Sequence, residues 1–336
     1  MGETILVTGG SGFIGSYVVK QLCARGENVV IYDVRPPREE QAWLLEPYAG
    51  KYQVELGGIE DWSRLFNAVK KYPITKVVHT AAIVALITDR PTLAIDVNFM
   101  GTIHVLEAAR IFNYARVVYY SSIGVLPSVQ YQPIDAKHPI FLADEGPTNF
   151  YGAAKIASEA FCWAYQTRFG IDVLIIRPSA VYGCGQQFPN YIKPMIENAV
   201  RGIPTHFDHG GKHPRDYTHA EDVAQLTLCA LDVPADRVQD RVFYGATGEP
   251  LVTAGQVAEM IKEQIPGSVI EIATELDAED VLGVRLRGQL NIENGRKQLG
   301  YEPRFKDLRA GIRDYIENYR AYLQSQESGR NRSTRA

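Results

Sequence analysis

The feature that most constrains this chain is a glycine-rich segment near its start, GGSGFIG at Gly9–Gly15. It follows Thr4–Thr8, an apolar run typical of a buried parallel strand, and it opens Phe13–Arg25, where apolar residues recur at helical spacing. Glycines in such a turn let the backbone approach a pyrophosphate closely, and the start of the helix presents free N–H groups to it. The order of strand, glycine turn and helix therefore predicts a dinucleotide site.

The next strand pattern, Asn28–Tyr32, ends at Asp33, about 20 residues after the glycine turn. A carboxylate at this position accepts hydrogen bonds from the hydroxyl groups of the adenosine ribose, and it repels a 2′-phosphate. Asp33 therefore favours NAD over NADP. Arg35 favours the opposite preference, because a guanidinium close to the ribose accommodates the phosphate.

Strand and helix patterns continue to alternate through the first half of the chain. Residues 35–50, which hold three prolines, are expected to be irregular. Further strands are predicted near Tyr52–Leu56, Lys76–His79, Arg116–Tyr120 and Asp172–Arg177, and helices near Asp61–Lys71, Thr92–Asn113 and Asn149–Phe169. This alternation predicts an α/β fold, a doubly wound parallel sheet of the Rossmann type.

After about residue 180 the pattern is less regular, which indicates a smaller C-terminal lobe that binds the substrate. We expect residues 1–180 to form the NAD-binding Rossmann domain, with contributions from about 206–247, and residues 181–205 and 248–324 to form most of the substrate lobe. The polar tail, 325–336, is predicted to be disordered. Helices of this second half are predicted near Tyr191–Arg201, Ala220–Leu231, Ala254–Ile265 and Leu308–Gln324.

The composition excludes several classes of protein. A net charge of -4 gives no reason to expect nucleic acid or an anionic membrane as a partner. The four cysteines have neither CxxC nor zinc-ligand spacing, so we expect no metal site and a reducing, cytoplasmic location. The first strand begins too early to leave room for a signal peptide, and no apolar run is long enough to span a membrane.

Four polar residues are candidates for proton transfer and for holding the substrate oxygen. Tyr151 and Lys155 stand one helical turn apart, so they share a helix face, and an ammonium beside a phenol lowers the pKa of the phenol from about 10 toward neutrality. Such a tyrosine takes or returns the proton of a reacting hydroxyl. Ser121 and Ser122 follow the Arg116–Tyr120 strand, at the edge where doubly wound sheets bind ligands.

These motifs, in this order, resemble the extended short-chain dehydrogenase/reductase superfamily, and within it the NAD-dependent epimerase/dehydratase family. The resemblance covers nearly the whole chain. It rests on TGGSGFIG at 8–15, HTAA at 79–82, NFMGT at 98–102, YYSSIGV at 119–125, YGAAK at 151–155, RPSAVYG at 177–183, RDYTHAEDVA at 215–224 and LGYEP at 299–303.

The resemblance implies a set of roles. Ser122 is the catalytic hydroxyl, Tyr151 is the acid/base, and Lys155 tunes Tyr151 and holds the nicotinamide ribose. Arg215 and Arg287 are candidates for the substrate site. The residues expected at the cofactor are Gly9, Gly12, Phe13, Ile14, Gly15, Asp33, Gly58, Ile59, Thr80, Ala81, Ala82, Asn98, Tyr151, Lys155 and Pro178.

Several departures from the family pattern narrow the reaction. Ile123-Gly124 stand where dehydratases have an Asp-Glu pair, which disfavours dehydration. Ala180 stands where many sugar-nucleotide enzymes have an asparagine, and the Arg-Pro-Gly-Asp element is absent, so a nucleotide-linked substrate is in doubt. Arg215 argues for such a substrate, since the family's arginine there meets a diphosphate. Gly58 replaces the aspartate that meets the adenine amine.

Three functions remain open at this point. The first is epimerisation of a sugar or sugar nucleotide through a keto intermediate, with NAD retained. The second is net dehydrogenation or reduction of a small sugar, sugar acid or other alcohol, and the third is NAD sensing without catalysis, which an intact Ser122, Tyr151 and Lys155 disfavour. The resemblance also implies a homodimer paired through the Thr92–Asn113 and Asn149–Phe169 helices. Its candidate contacts are Phe112, Phe161 and Trp163, and each of these fits core packing nearly as well.

Overall fold

A computed structural model describes residues 3–84, 90–140, 142 and 149–333, without the side chains of Glu279 and 329–333. Seven parallel strands form the main sheet, in the order β11-β6-β5-β4-β1-β2-β3. The strands are β1 (Thr4–Thr8), β2 (Asn28–Asp33), β3 (Tyr52–Leu56), β4 (Lys76–His79), β5 (Arg116–Tyr120), β6 (Val173–Pro178), β7 (Ala180–Tyr182), β8 (Thr205–Phe207), β9 (Pro214–Arg215), β10 (Tyr217–His219), β11 (Val242–Gly245), β12 (Val252–Thr253) and β13 (Ile270–Ile272).

Helices cover both faces of this sheet, as the predicted doubly wound fold requires. The predicted Thr92–Asn113 helix contains a stretch of π-helix, Ala94–Met100, between two α-helical parts. The helices are α1 (Phe13–Ala24), α2 (Glu39–Leu45), α3 (Trp62–Val69), α4 (Pro91–Leu93), α5 (Gly101–Phe112), α6 (Phe150–Phe169), α7 (Ile192–Arg201), α8 (Ala220–Asp232), α9 (Ala254–Gln264), α10 (Ala278–Arg285) and α11 (Leu308–Ser333).

The strand order reverses at β1, because β2 and β3 lie on one side of it and β4 to β6 on the other. All residues of β1, β5 and β6 are buried, and one apolar core lies on each face of the sheet. A parallel sheet covered on both faces needs such continuous apolar strands. The reversal opens a crevice at the carboxyl ends of the strands, which is where ligands bind in folds of this type.

A third apolar core lies outside the main sheet, among α7, α9 and α11. Two short strand pairs, β8 with β13 and β9 with β12, flank it. We propose that this core marks the substrate lobe expected from residues 181–205 and 248–324. Among the residues that the model describes, no helix is both long and apolar enough to cross a membrane.

Two expectations differ from the structure. Residues 35–50 are not simply irregular, because α2 forms there; Leu45 is fully buried, and the Gln41 side chain donates a hydrogen bond to the Gly185 carbonyl at 2.6 Å. The tail does not become disordered at 325, because α11 continues through Ser333. Residues 334–336 of the predicted tail lie outside the described residues.

The buried imidazole of His79, at the end of β4, makes stability depend on pH. His79 lies 2.7 Å from Thr8 Oγ1 and 3.2 Å from Thr102 Oγ1, and burial, together with the charge of Lys155, lowers its pKa to about 3. The unfolded chain binds this proton near pH 6.5 and the folded chain does not, so acid favours unfolding between these values.

We therefore compare the wild type with His79→Gln by urea unfolding at several pH values. The stability advantage of the wild type should shrink by about 2 kcal/mol between about pH 7 and about pH 5, since the slope is about 1.4 kcal/mol per pH unit. A difference that stays constant over this range would show that His79 is not held neutral.

Candidate active site

The glycine turn after β1 packs directly against the segment that follows β4. Gly9 has φ +72°, and a Cβ there would lie 2.6 Å from the backbone nitrogen of Ala81. A Cβ on Gly15 would lie 2.2 Å from the Gly9 carbonyl oxygen. Only glycine fits either position, and no described side chain caps the start of α1 at Gly12. The free N–H groups of this helix start, beside a turn made mostly of glycine, fit a dinucleotide pyrophosphate.

Asp33 ends β2 beside this turn, as predicted. Its Oδ2 accepts a hydrogen bond from the Ser11 backbone nitrogen at 3.1 Å, and its Oδ1 lies 3.4 Å from the Arg35 backbone nitrogen. Burial raises the pKa of Asp33, and these backbone hydrogen bonds act in the opposite direction. The carboxylate therefore lies between the turn and the open crevice, where a ribose of the cofactor would reach it.

The segment after β4 is held from both sides. Thr80 Oγ1 donates to the Thr8 carbonyl at 2.8 Å, which ties the segment to β1. The Asn98 amide makes two hydrogen bonds to the backbone of Ile83, at 2.8 and 2.9 Å. Asn98, which lies in the π-helical stretch, thus positions Thr80, Ala81 and Ala82 rather than pointing freely into the crevice.

The remaining residues expected at the cofactor lie at the same edge of the sheet. The Tyr32 hydroxyl donates to the Gly58 carbonyl at 3.1 Å, and the Ile59 carbonyl accepts from His104 Nδ1 at 2.8 Å. Pro178 ends β6, on the far side of the reversal point. The expected residues therefore extend along the carboxyl edge from β3 to β6.

Ser122 and Tyr151 meet at the centre of this edge. Asn149 caps α6 by accepting a hydrogen bond from the Gly152 nitrogen at 2.8 Å, and this cap starts the helix just before Tyr151. Ser122 Oγ accepts a hydrogen bond from the Gly124 nitrogen at 3.0 Å, and a Cβ built on Gly124 would lie 3.3 Å from Ser122 Oγ and 3.8 Å from the Tyr151 ring. The Ser122 hydroxyl and the Tyr151 ring therefore both border Gly124.

The charge of Lys155 is not directed at Tyr151, contrary to the expectation from the YxxxK spacing. Lys155 Nζ donates to the Tyr120 carbonyl at 2.6 Å and lies 5.7 Å from the centroid of the Tyr151 ring. Burial lowers the pKa of Lys155 to about 8. The pKa of Tyr151 is raised by burial, and the neighbouring Ser122 acts in the opposite direction. The expected shift of the Tyr151 pKa toward neutrality is therefore absent in this arrangement.

A buried ion pair beneath the site was missed from the sequence. Glu159, one turn beyond Lys155, pairs with Arg177 of β6 through hydrogen bonds of 2.9 and 2.6 Å, and both side chains are 4% exposed. Ser121 Oγ donates to the same carboxylate at 2.5 Å, and Arg177 reaches the Tyr244 hydroxyl at 3.3 Å. This group connects α6 to β5, β6 and β11.

Arg215 and Arg287, both expected at the substrate, lie close enough for the charge of Arg215 to act on Arg287. The Nε atoms of both are buried, with no hydrogen-bond partner among the described residues. Burial, and then the charge of Arg215, lowers the pKa of Arg287 to about 10. The Tyr217 hydroxyl and His213 Nδ1 are also buried without a described partner, and both respond to the two arginines. Sequence reasoning missed these two residues.

One cluster has side chains of the kind that bind metals. His209, Asp277 and Asp280 place one ligand atom each within 4.8 Å of one another. His209 Nδ1 lies 2.6 Å from Asp280, whose other oxygen accepts from the Tyr191 hydroxyl at 3.0 Å. Asp277 also caps α10 through the Asp280 nitrogen at 2.7 Å. The three groups thus satisfy one another as ion pairs and a helix cap.

A site of this kind, at the reversal point of a parallel sheet, defines a Rossmann-fold enzyme that uses a nicotinamide dinucleotide to carry hydride. The chain belongs to the NAD dependent epimerase/dehydratase family, whose model matches residues 5–244. It is therefore an NAD-dependent enzyme of the extended short-chain dehydrogenase/reductase type.

Individual relatives differ in their named activities. UDP-glucose 4-epimerase of Lacticaseibacillus casei is 31% identical over 246 residues, which cover 68% of this chain and 71% of that protein. The UDP-glucose 4-epimerase of Thermus thermophilus, solved in complex with NAD, is 25% identical with a TM-score of 0.76, over 94% of this chain and 99% of that chain. L-Threonine dehydrogenase of Cupriavidus necator is 25% identical with a TM-score of 0.78, over 92% and 98%.

The buried ion pair beneath the site yields a stability prediction. Glu159→Leu leaves the Arg177 guanidinium buried without its counter-charge, and we expect a loss of about 3 to 5 kcal/mol in urea unfolding. The double variant Glu159→Leu with Arg177→Met removes both charges and should recover most of that loss. A single variant that unfolds like the wild type would show that water already solvates Arg177.

Proposed function

We propose that this protein epimerises a secondary alcohol carbon of a sugar nucleotide through a keto intermediate. The carrying observation is that Ser122 Oγ and the Tyr151 ring both border Gly124, at the same sheet edge as the glycine turn. Bound NAD supplies a hydride acceptor that returns the hydride after the keto group has turned over. If the hydride returns to the other face of the keto carbon, the product is an epimer and there is no net redox change.

The side chains of this chain handle the proton. Ser122 Oγ would hold the substrate oxygen, and Tyr151 would take the hydroxyl proton and later return it. Because burial raises the pKa of Tyr151, it needs a nearby positive charge to act as a base. Lys155, on the same helix face, supplies that charge if its ammonium turns from the Tyr120 carbonyl toward the phenol.

The arginine pair supports a substrate that carries a phosphate-linked group. Two half-buried guanidinium groups whose buried Nε atoms have no described partner are costly, and a bound anion offsets this cost through charge-assisted hydrogen bonds. Arg215 and Arg287 would hold the diphosphate, and the hydroxyl of Tyr217 could donate a further hydrogen bond. This arrangement outweighs the doubt raised by Ala180 and by the missing Arg-Pro-Gly-Asp element.

Net dehydrogenation is the second candidate. It is favoured by Ala180, which removes an asparagine side chain from the strand-end motif, and by the similarity to an L-threonine dehydrogenase. An anionic carboxylate would also fit the arginine pair. Dehydration is disfavoured, because Ile123 and Gly124 provide no acid/base side chain after Ser122.

Cofactor retention separates these two functions. An epimerase keeps NAD through gel filtration and converts a sugar nucleotide without a change in absorbance at the NADH wavelength. A dehydrogenase binds NAD reversibly and accumulates NADH with a sugar, a sugar acid or a small hydroxy acid. Formation of free NADH in an amount equal to the substrate consumed would refute epimerisation.

We propose a cytoplasmic protein, because all four cysteines are unpaired thiols. We also propose a homodimer, for which α5, α6 and the π-helical stretch would form the interface. Of the three expected contact residues, Phe161 and Trp163 are exposed, while Phe112 packs against Phe66 with ring centroids 5.0 Å apart. Met100 and Ile95 add exposed apolar surface on the neighbouring π-helical stretch.

Light scattering at micromolar concentration should therefore show a dimer. The double variant Met100→Lys with Phe161→Lys should be monomeric, because it places two charges in the apolar interface. Phe188→Lys, which changes a similarly exposed aromatic residue in another region, should remain a dimer. A monomeric wild type would contradict the proposal.

Removal of the Tyr151 hydroxyl tests the proton transfer. Tyr151→Phe keeps the ring, so turnover should fall by at least about a hundredfold while NAD still binds. Tyr131→Phe is the matched control, because that exposed hydroxyl bonds only Asp135 among the described residues. Near-normal turnover of Tyr151→Phe would mean that another residue carries the proton.

Neutral replacement of Arg287, one member of the arginine pair, should weaken substrate binding and raise the stability of the free protein. Arg287→Met should raise the KM for the sugar nucleotide at least about tenfold, since a hydrogen bond to a charged group contributes about 1.5 to 3 kcal/mol. The same variant should raise the melting temperature of the substrate-free protein, because it removes a half-buried charge that has no described counter-ion. Lys212→Met, an exposed residue three positions before Arg215, should change neither value.

A further inference from the structure

The carboxylate of Glu60 occupies an unusual position, folded back against the backbone two residues before it. A Cβ built on Gly58 would lie 2.1 Å from Glu60 Oε1 and 2.5 Å from Oε2. The carboxylate therefore fills the space that any side chain at position 58 would need. The residue is exposed, and its carboxylate oxygens have no hydrogen-bond or ion-pair partner within the described chain.

The position of this carboxylate follows from the pairing of β2 with β3. Asp33 pairs with Leu56, and the Gly57 nitrogen donates to the Asp33 carbonyl at 2.9 Å. Gly58 to Glu60 thus lie at the carboxyl end of the strand beside Asp33. A dinucleotide whose pyrophosphate meets the glycine turn and whose ribose meets Asp33 carries its adenine beyond the ribose, toward this strand end.

Adenine presents a complementary edge to these residues. Its exocyclic amine is a donor and suits a carboxylate acceptor, while its N1 is an acceptor and suits a backbone N–H. The Ile59 nitrogen has no backbone acceptor among the described residues, so it is available as that donor. The Ile59 side chain is buried against Gly101, where a Cβ would lie 2.6 Å from it, and this contact fixes the loop.

We propose that Glu60 recognises the adenine amine of NAD, from the space that glycine at position 58 leaves open. This inference rests on the NAD site and not on the identity of the sugar substrate. Glycine at 58 and glutamate at 60 form one unit, because a side chain at 58 would displace the carboxylate. Glu60 is therefore a specificity residue for the base, and Asp33 remains the residue that meets the ribose.

The test compares NAD with nicotinamide hypoxanthine dinucleotide, which replaces the amine donor by a carbonyl acceptor. Dissociation constants are measured by calorimetry on nucleotide-free protein. Wild type should bind NAD at least about tenfold more tightly than the hypoxanthine analogue, since a charge-assisted hydrogen bond is replaced by repulsion between acceptors. Glu60→Gln should reduce this ratio by at least about fivefold, because an amide also donates to the carbonyl.

Two further variants serve as controls. Asp61→Asn makes the same charge change one residue away, where asparagine still caps α3 through the Arg64 nitrogen, so it should keep the wild-type ratio. Gly58→Asp combined with Glu60→Ala should restore the ratio lost in Glu60→Ala alone. An unchanged ratio in Glu60→Gln, or a wild type that does not distinguish the two nucleotides, would overturn the inference. Substrate turnover is measured separately, so a wrong sugar assignment would leave this result intact.

Discussion

The geometry of the site depends on how closely the turn after β1 approaches the segment after β4. Gly9 and Ala81 are in backbone contact, and neither Gly9 nor Gly15 has room for a side chain. This contact is possible because β1 and β4 are neighbouring parallel strands that end at the same edge. The start of α1 is left uncapped by any described side chain, and its N–H groups are available to an anionic ligand.

Buried charges around this edge divide into two kinds. Glu159 and Arg177 neutralise each other and fasten α6, which carries Tyr151, to β6. Arg215 and Arg287 have free buried donors among the described residues, and Lys155 is bonded only to a carbonyl. Positive groups without an anionic partner cost stability in the free protein. They are therefore the groups whose partners we expect in the substrate and cofactor.

Local patterns predicted the parts of the structure that local physics determines. The glycine turn, Asp33 and the YxxxK helix could be read from spacing, since each depends on residues within one or two turns of chain. The α2 helix could not, because it is stabilised by distant contacts such as Gln41 with Gly185 and Trp43 with Tyr322. Tertiary packing overrides weak local preference in such segments.

Contacts between residues that are far apart in the sequence explain the remaining differences between the predictions and the structure. Glu159 meets Arg177 across two elements, and Tyr217 joins Arg287 from a separate part of the chain, so no spacing rule identifies them. The orientation of Lys155 toward Tyr120 is likewise a tertiary result, as is the burial that raises the pKa of Tyr151 instead of lowering it. Glycine at 58 could be recognised as a departure from the family, but only the folded chain shows Glu60 beside it.

The central claim is that hydride leaves the reacting carbon and returns to it by way of a retained cofactor. Retention of an isotopic label tests this claim most directly. A sugar nucleotide carrying deuterium on the reacting carbinol carbon is incubated with the NAD-loaded enzyme, and the product is analysed by NMR. Epimerisation through a keto intermediate predicts a new epimer that keeps deuterium on that same carbon, without release into water. Loss of the label to solvent, or its transfer to free NADH, would contradict the account.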